Sequence, residues 1–174
     1  MIKLHFPKNV QISNTHIANK NQPNALGSVG HIEVSPNSRN VIAGNSLFTI
    51  DIRSPDINKL EKMENELRDM AIDICNKYKV TFEMDQIGGF DPVAFDKECL
   101  DNIRNSADKF GYSHKDIVSG AGHDACWINT VAPSAMVMCP CVDGLSHNEA
   151  EEIKPEWASS STNVMLHAAI ASAT

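Results

Sequence analysis

Long apolar runs and clusters of basic residues are both missing from this 174-residue sequence. No stretch approaches the roughly 20 apolar residues that a membrane-spanning helix needs. Nucleic-acid binding requires clustered Lys and Arg, whereas this chain has a formal net charge of -7. The N-terminus, from Met1 to Pro7, has no apolar core of the kind found in signal peptides. From these absences we expect that neither a membrane nor a nucleic acid is a partner.

The cysteines offer little scope for a disulfide framework. There are five of them, an odd number, and only Cys139 and Cys141 are close in sequence. A bridge between residues two apart would close a very tight and strained ring. We therefore expect reduced thiols and a cytoplasmic chain.

The first 28 residues show little organisation. Ile2 to Phe6 alternates apolar and polar side chains, which predicts one short strand. The segment from Gln11 to Asn24 is rich in Asn, Gln, Ser and Thr, and this composition predicts a loop or a flexible lead-in.

Residues 29–90 carry a clearer pattern, which predicts a β-β-α-β lobe, about half of a split-βαβ sandwich plus one extra strand. The strands are expected at Val29–Val34, Ser46–Arg53 and Val80–Met84. The helix is expected to begin with Ser54 as its N-cap and Pro55 at its first position, and to end near Tyr78. The loop from Gly88 to Pro92 is the predicted boundary between two lobes.

Residues 91–174 predict a second lobe in which helices alternate with a Gly-rich loop and a strand. The expected elements are a helix at 93–110, the loop Ser119–Asp124, a short helix at 125–129, a strand at 134–138 and a helix at 155–173. Val164, Leu166 and Ile170 are expected to face the core. The fold class is therefore α/β, with an α+β sandwich lobe followed by an α/β segment.

Three separated segments resemble one enzyme family. They are Gly30 to Ile42 (GHIEVSPNSRNVI) continued by Asp51-Ile52-Arg53, then Ser119 to Ala125 (SGAGHDA), and finally Gly144 to Asn148 (GLSHN) with Ala150-Glu151 and Asn163 to His167. In this order they resemble the C-terminal portion of the N-carbamoyl-L-amino-acid hydrolases, allantoate amidohydrolases and β-ureidopropionases, within the dinuclear zinc peptidases. The resemblance covers about residues 28–173.

This resemblance implies a fold and a reaction. The family has an α/β catalytic domain with an inserted lid domain that also forms the homodimer. Residues 29–90 resemble part of the lid, and residues 91–174 resemble the end of the catalytic domain, so the family fold is incomplete here. Two divalent metal ions, zinc or manganese, activate a water that attacks the carbamoyl or amide carbon in family members.

Six residues match functional positions of the family. Asn40 and Arg53 match the lid residues that hold the carboxylate or ureido group of the substrate, and Arg suits this role through its planar fork of donors. Gly120, Gly122 and His123 match a loop that approaches the substrate, where glycine permits close approach of the backbone.

His147 matches the last metal ligand of the family, and it is the one family ligand that this sequence contains. Catalytic zinc takes about three protein ligands, so we expect the isolated chain not to bind both metals and not to be competent. Cys139 and Cys141 with His147 are a second possible metal site, and buried free thiols are the plainer interpretation. The alternatives to an amidohydrolase are a non-catalytic dimerisation module and a small carboxylate-binding module derived from that family.

Overall fold

The computed structural model describes residues 2–6 and 14–173. They form two compact units that meet in the sequence between Pro92 and Val93. Both units mix helices with strands or extended segments, which confirms the α/β fold class. Within the described ranges, no helix combines the length and the apolar character needed to cross a membrane.

The first unit is a complete split-βαβ sandwich. Its elements are β1 (Ile2–Phe6), α1 (Asn14–Lys20), β2 (Leu26–Ser35), β3 (Asn45–Arg53), α2 (Ile57–Tyr78) and β4 (Glu83–Gln86). The strands lie in the order β2-β3-β1-β4, and all neighbours are antiparallel. The expected β-β-α-β lobe over residues 29–90, preceded by a poorly organised segment, was therefore wrong in extent, because β1 and α1 belong to the same sandwich.

Helix α1 replaces half of the loop that was predicted from Gln11 to Asn24. Residues 11–13 of that segment lie outside the described residues. Ile17 and Ala18 are buried in the core of this unit. Asn21 closes the helix by donating from Nδ2 to the carbonyl of Ile17 at 2.9 Å. A seven-residue helix is not stable by propensity alone. Burial of its two apolar residues stabilises it, and the polar composition of the segment did not indicate this.

The core lies between the sheet and the two helices. The predicted alternation in β3 is confirmed, since Phe48 and Ile50 are buried. Met63, Leu67 and Ala71 on α2 are fully buried against the same cluster.

Helix α2 begins two residues later than expected. Asp56 is the N-cap, and its side chain accepts hydrogen bonds from the amides of Asn58 at 2.9 Å and Lys59 at 3.3 Å. Ser54, the predicted cap, instead accepts from the Asp56 amide at 3.2 Å. Aspartate and serine are comparable N-caps, so composition alone did not decide between them.

Strand β2 is one edge of the sheet and is longer than predicted. It pairs with β3 on one side, with an irregularity between Val29 and His31. Its other side pairs with no strand among residues 2–6 and 14–173, and such an edge can accept a further strand. Leu26, Val29 and Ile32 on this strand are exposed apolar residues.

The second unit contains α3 (Lys97–Lys109), α4 (Asp124–Ile128), a 3-10 turn (Val142–Gly144) and α5 (Pro155–Ser172). The predicted strand at 134–138 is wrong: the segment is not a strand, and Ser134 accepts one hydrogen bond from the amide of Asp96 at 3.0 Å. A strand exists only with a pairing partner, and the described part of this unit contains no other strand.

Helices α3 and α5 supply the buried residues of the second unit. Ala107 on α3 and Val164 and Ala168 on α5 are buried. The prediction that Leu166 and Ile170 face the core was wrong, since both are more than half exposed.

Candidate functional site

Arg53 is the last residue of β3 and is held by its neighbour on the same face of the strand. Its Nε lies 3.2 Å and 3.1 Å from the two carboxylate oxygens of Asp51. This hydrogen bonding to Asp51 raises the pKa of Arg53 above its ordinary value, against a smaller lowering from burial. The guanidinium is therefore charged and oriented, while nearly half of the side chain remains open to solvent.

Asn40 lies in the loop between β2 and β3. The loop is closed where the Gly44 amide donates to the Ser35 carbonyl at 2.9 Å. Ser38 donates from its hydroxyl to Oδ1 of Asn40 at 2.8 Å, and Asn40 is exposed. This bond orients the amide so that its nitrogen faces away from the serine.

Asn40 and Arg53 do not lie together within one chain. The loop with Asn40 joins the Ser35–Asn45 end of the β2–β3 hairpin, whereas Arg53 pairs with Leu26 at the other end. Strand β3 has nine residues. At about 3.3 Å per residue, its two ends are about 26 Å apart. One small ligand cannot contact both side chains of the same copy of this hairpin.

The loop before α4 is organised around a serine. Ser119 Oγ lies 3.0 Å from Nε2 of His123 and accepts from the Ala121 amide at 3.2 Å. Gly120 and Gly122 flank Ala121, and both are exposed. The structure thus brings the predicted residues Gly120, Gly122 and His123 into one short loop. It adds Ser119, which the sequence motif contained without indicating a role.

His147 follows the 3-10 turn and has a left-handed backbone with φ of 56°. Its amide donates to Oε2 of Glu151 at 2.8 Å, and Cys141 donates from Sγ to the other carboxylate oxygen at 3.7 Å. A left-handed histidine is uncommon and costs of order 1–3 kcal/mol unless its surroundings fix it. Glu151 holds the His147 backbone in this conformation. Apart from the place of Glu151 in the motif, no feature of the sequence indicated this contact.

The thiols near His147 do not join it in a metal site. Cys141 is half-buried, and burial, followed by the charge of Glu151, raises its thiol pKa above the ordinary value. Both Cys139 and Cys141 are free and only partly buried, so the description as buried thiols was also inexact.

The described residues do not fit a pair of metal ions by themselves. Among residues 14–173, no three His, Cys, Asp or Glu side chains are grouped so that they could hold an ion. His147, the residue predicted from the motif as a metal ligand, is exposed. A single imidazole is one ligand of a site that needs at least three, so no catalytic step through a metal follows from these residues.

Comparison with known proteins places these residues among hydrolases. Residues 6–171 match the model of peptidase family M20/M25/M40. An N-carbamoyl-L-amino-acid amidohydrolase from Rhizobium meliloti is 51% identical over 157 residues, covering 90% of this chain and 38% of the relative. An allantoate amidohydrolase from Escherichia coli is 31% identical over 122 residues, covering 70% of this chain and 30% of the relative.

Solved structures agree with this likeness. An amidase of the hydantoinase/carbamoylase family from Burkholderia vietnamiensis superposes with a TM-score of 0.89 at 39% identity. The match covers 98% of this chain and 46% of that chain. The chain therefore spans less than half of the length of the relatives that it matches.

Proposed function

This chain belongs to peptidase family M20/M25/M40, and we propose that it forms part of an amidohydrolase that cleaves a C–N bond of N-carbamoyl amino acids or related ureido acids. The 51% identity over 157 residues to an N-carbamoyl-L-amino-acid amidohydrolase carries this proposal. The family motifs around Asn40, Arg53, His123 and His147 lie within the region that the family model matches.

The substrate class presents a carboxylate and a ureido group, and the candidate residues are chemically suited to both. The guanidinium of Arg53 matches a carboxylate in geometry and charge. Asp51 holds that guanidinium in one orientation through Nε. The Asn40 amide can donate to and accept from a ureido group, because it has both a carbonyl oxygen and an NH₂.

These residues can act on one ligand if two copies of the chain pair through β2. An antiparallel pairing of two β2 edges about a two-fold axis places the start of one strand beside the end of the other. Arg53 of one copy then lies at the same end of the joined sheet as the Asn40 loop of the second copy. The two are separated by two to three strand spacings, about 10–14 Å, instead of about 26 Å along one chain. We therefore propose a homodimer with composite sites.

The surface of β2 supports such an edge-to-edge dimer. Leu26, Val29 and Ile32 are exposed apolar residues on this strand, and Ile32 is 63% exposed. An apolar edge strand with unpaired backbone groups is a template for association. Pairing would satisfy the backbone edge and place these side chains against their neighbours on the second β2 strand.

The second unit contributes His147 as one ligand of a metal centre with zinc or manganese. We propose that the other ligands lie in the portion of the family's length that this chain does not span. The exposed apolar residues of α5 support a complementary partner segment: Met165 is 56% and Leu166 55% exposed. A chain without that segment would have no turnover.

A non-catalytic module is the second candidate. The absence of a metal-binding group among residues 14–173 and the open β2 edge favour a dimerisation or carboxylate-binding role for this chain alone. This role predicts that an N-carbamoyl amino acid raises the melting temperature of the 174-residue chain without added metal, and that Arg53→Ala removes the shift.

A chimera tests the amidohydrolase proposal. The matching 157 residues of the Rhizobium meliloti relative are replaced by this chain, and hydrolysis of an N-carbamoyl-L-amino acid is measured with zinc or manganese. We expect turnover, with Arg53→Ala lowering kcat/KM about 10- to 100-fold, as for loss of hydrogen bonds to a charged group. Arg68→Ala, which removes a surface arginine paired with Glu64, is the matched control and leaves kcat/KM within about twofold.

Two results would count against this proposal separately. An inactive chimera beside an active parent enzyme would contradict the amidohydrolase function of this chain. An active chimera in which the Arg53 and Arg68 variants behave alike would contradict the role of Arg53 alone.

A further inference from the structure

The loop from Ser119 to His123 folds back so that its first and last side chains meet. Ser119 Oγ and His123 Nε2 are 3.0 Å apart, and both residues are partly buried. The backbone of His123 is fixed independently, because its carbonyl accepts from the Cys126 amide at 2.9 Å in the first turn of α4. The ring is therefore held at the backbone and at Nε2.

The other ring nitrogen is the one that is available to a ligand. His123 occupies the N-cap position of α4, yet its side chain makes no capping hydrogen bond. Within the described part of the chain, its Nδ1 has no hydrogen-bond partner. Whatever His123 does for a bound molecule is therefore done through Nδ1.

The hydrogens around Ser119 determine which nitrogen carries the ring proton. The Ser119 oxygen already accepts from the Ala121 amide at 3.2 Å, and its one hydrogen can go to His123 Nε2 at 3.0 Å or to the Ala121 carbonyl at 3.3 Å. The shorter contact, to Nε2, is the better hydrogen bond. If Ser119 donates to Nε2, this nitrogen is the acceptor and the neutral ring has its proton on Nδ1.

We propose that Ser119 is a positioning residue that holds His123 in the Nδ1–H tautomer. A neutral His123 then presents a fixed N–H donor, which suits a carboxylate or ureido oxygen of the substrate. The role for the substrate rests on the proposed function, whereas the tautomer itself is a property of this loop without any ligand. A turn that served only to start α4 would need no particular tautomer.

Nitrogen-15 NMR of the histidine rings tests this inference on the 174-residue chain without substrate or metal. The His123 signals are identified by their loss in His123→Gln. We expect Nδ1 in the protonated range and Nε2 in the unprotonated range in the wild type and in Ser119→Thr, which keeps the hydroxyl. In Ser119→Ala the proton should move at least partly to Nε2. Ser113→Ala, at an exposed serine of the same unit, should leave the His123 signals unchanged.

Two outcomes would overturn the inference. One is a wild-type ring with its proton on Nε2, which is decided without any variant and so does not depend on whether Ser119→Ala folds. The other is a folded Ser119→Ala chain in which the His123 tautomer is unchanged. Neither outcome depends on hydrolysis, so a failure of the proposed function and a failure of this inference are separately visible.

Discussion

Mixing two impaired variants of the chimera, Asn40→Ala and Arg53→Ala, should restore activity, because the hairpin places the two residues at opposite ends. In a two-fold dimer with composite sites, an Asn40→Ala subunit paired with an Arg53→Ala subunit has one site with both substitutions and one site with neither. Random exchange makes about half of the dimers mixed, and half of the sites in each mixed dimer are intact. About a quarter of the wild-type activity should therefore return.

The assay is hydrolysis of an N-carbamoyl-L-amino acid after the two variants are dissociated, mixed in equal amounts and reassociated. A reciprocal control mixes wild type with the double variant Asn40→Ala/Arg53→Ala. Composite sites leave about a quarter of the wild-type activity in that mixture, whereas sites built within one subunit leave about half.

A mixture of the two single variants that is no more active than its components would contradict composite sites. So would a value of about half in the reciprocal control. Either result would mean that one subunit supplies both residues, or that only one of them contacts the substrate. The first possibility would also contradict the separation of about 26 Å between the two ends of β3.

Two further predictions concern the first unit. Leu67→Ala removes a fully buried side chain and should destabilise the unit by about 3 kcal/mol, whereas Ile72→Ala on the same helix, at 41% exposure, should cost less than about 1 kcal/mol; hydrogen exchange of the α2 amides measures both, and equal effects would contradict the core assignment. Burial raises the pKa of Glu66, but hydrogen bonds from Lys20 and Asn21 lower it to a net value below the ordinary 4.5. A lowered pKa stabilises the fold above pH 4.5, and this contribution is lost as the pH falls through the folded-state value. Glu66→Gln should therefore speed exchange of the α1 amides at pH 7, and the difference from wild type should shrink on acidification; a difference that persists at low pH would rule out this ion pair as its cause.

The strands and the long helix of the first unit could be predicted from the sequence because their side chains alternate or repeat with a clear period. Phe48 and Ile50 mark the inner face of β3, and Met63 and Leu67 mark the inner face of α2. Helix α1 could not be predicted in this way, because Ile17 and Ala18 are the only apolar residues in its sequence of seven. Its stability comes from tertiary packing, which composition does not reveal.

The sequence predicted a set of candidate residues but not their arrangement. The motifs indicated Asn40, Arg53, His123 and His147, since those residue types suit anion binding and metal ligation. They did not indicate Ser119, because its role depends on a loop that folds back. The order of the segments did contain one missed consequence: Asn40 precedes β3 and Arg53 ends it, so a nine-residue strand had to separate them.

Elemental analysis and hydrolysis, measured on the same samples of the 174-residue chain and of the chimera, test whether this chain is one part of a metal-dependent amidohydrolase. We predict no stoichiometric metal and no turnover for the chain alone, and stoichiometric zinc or manganese with turnover for the chimera. His147→Ala in the chimera should lower both the metal content and the turnover. Stoichiometric metal with turnover in the chain alone, or an active chimera whose metal content does not depend on His147, would contradict this account.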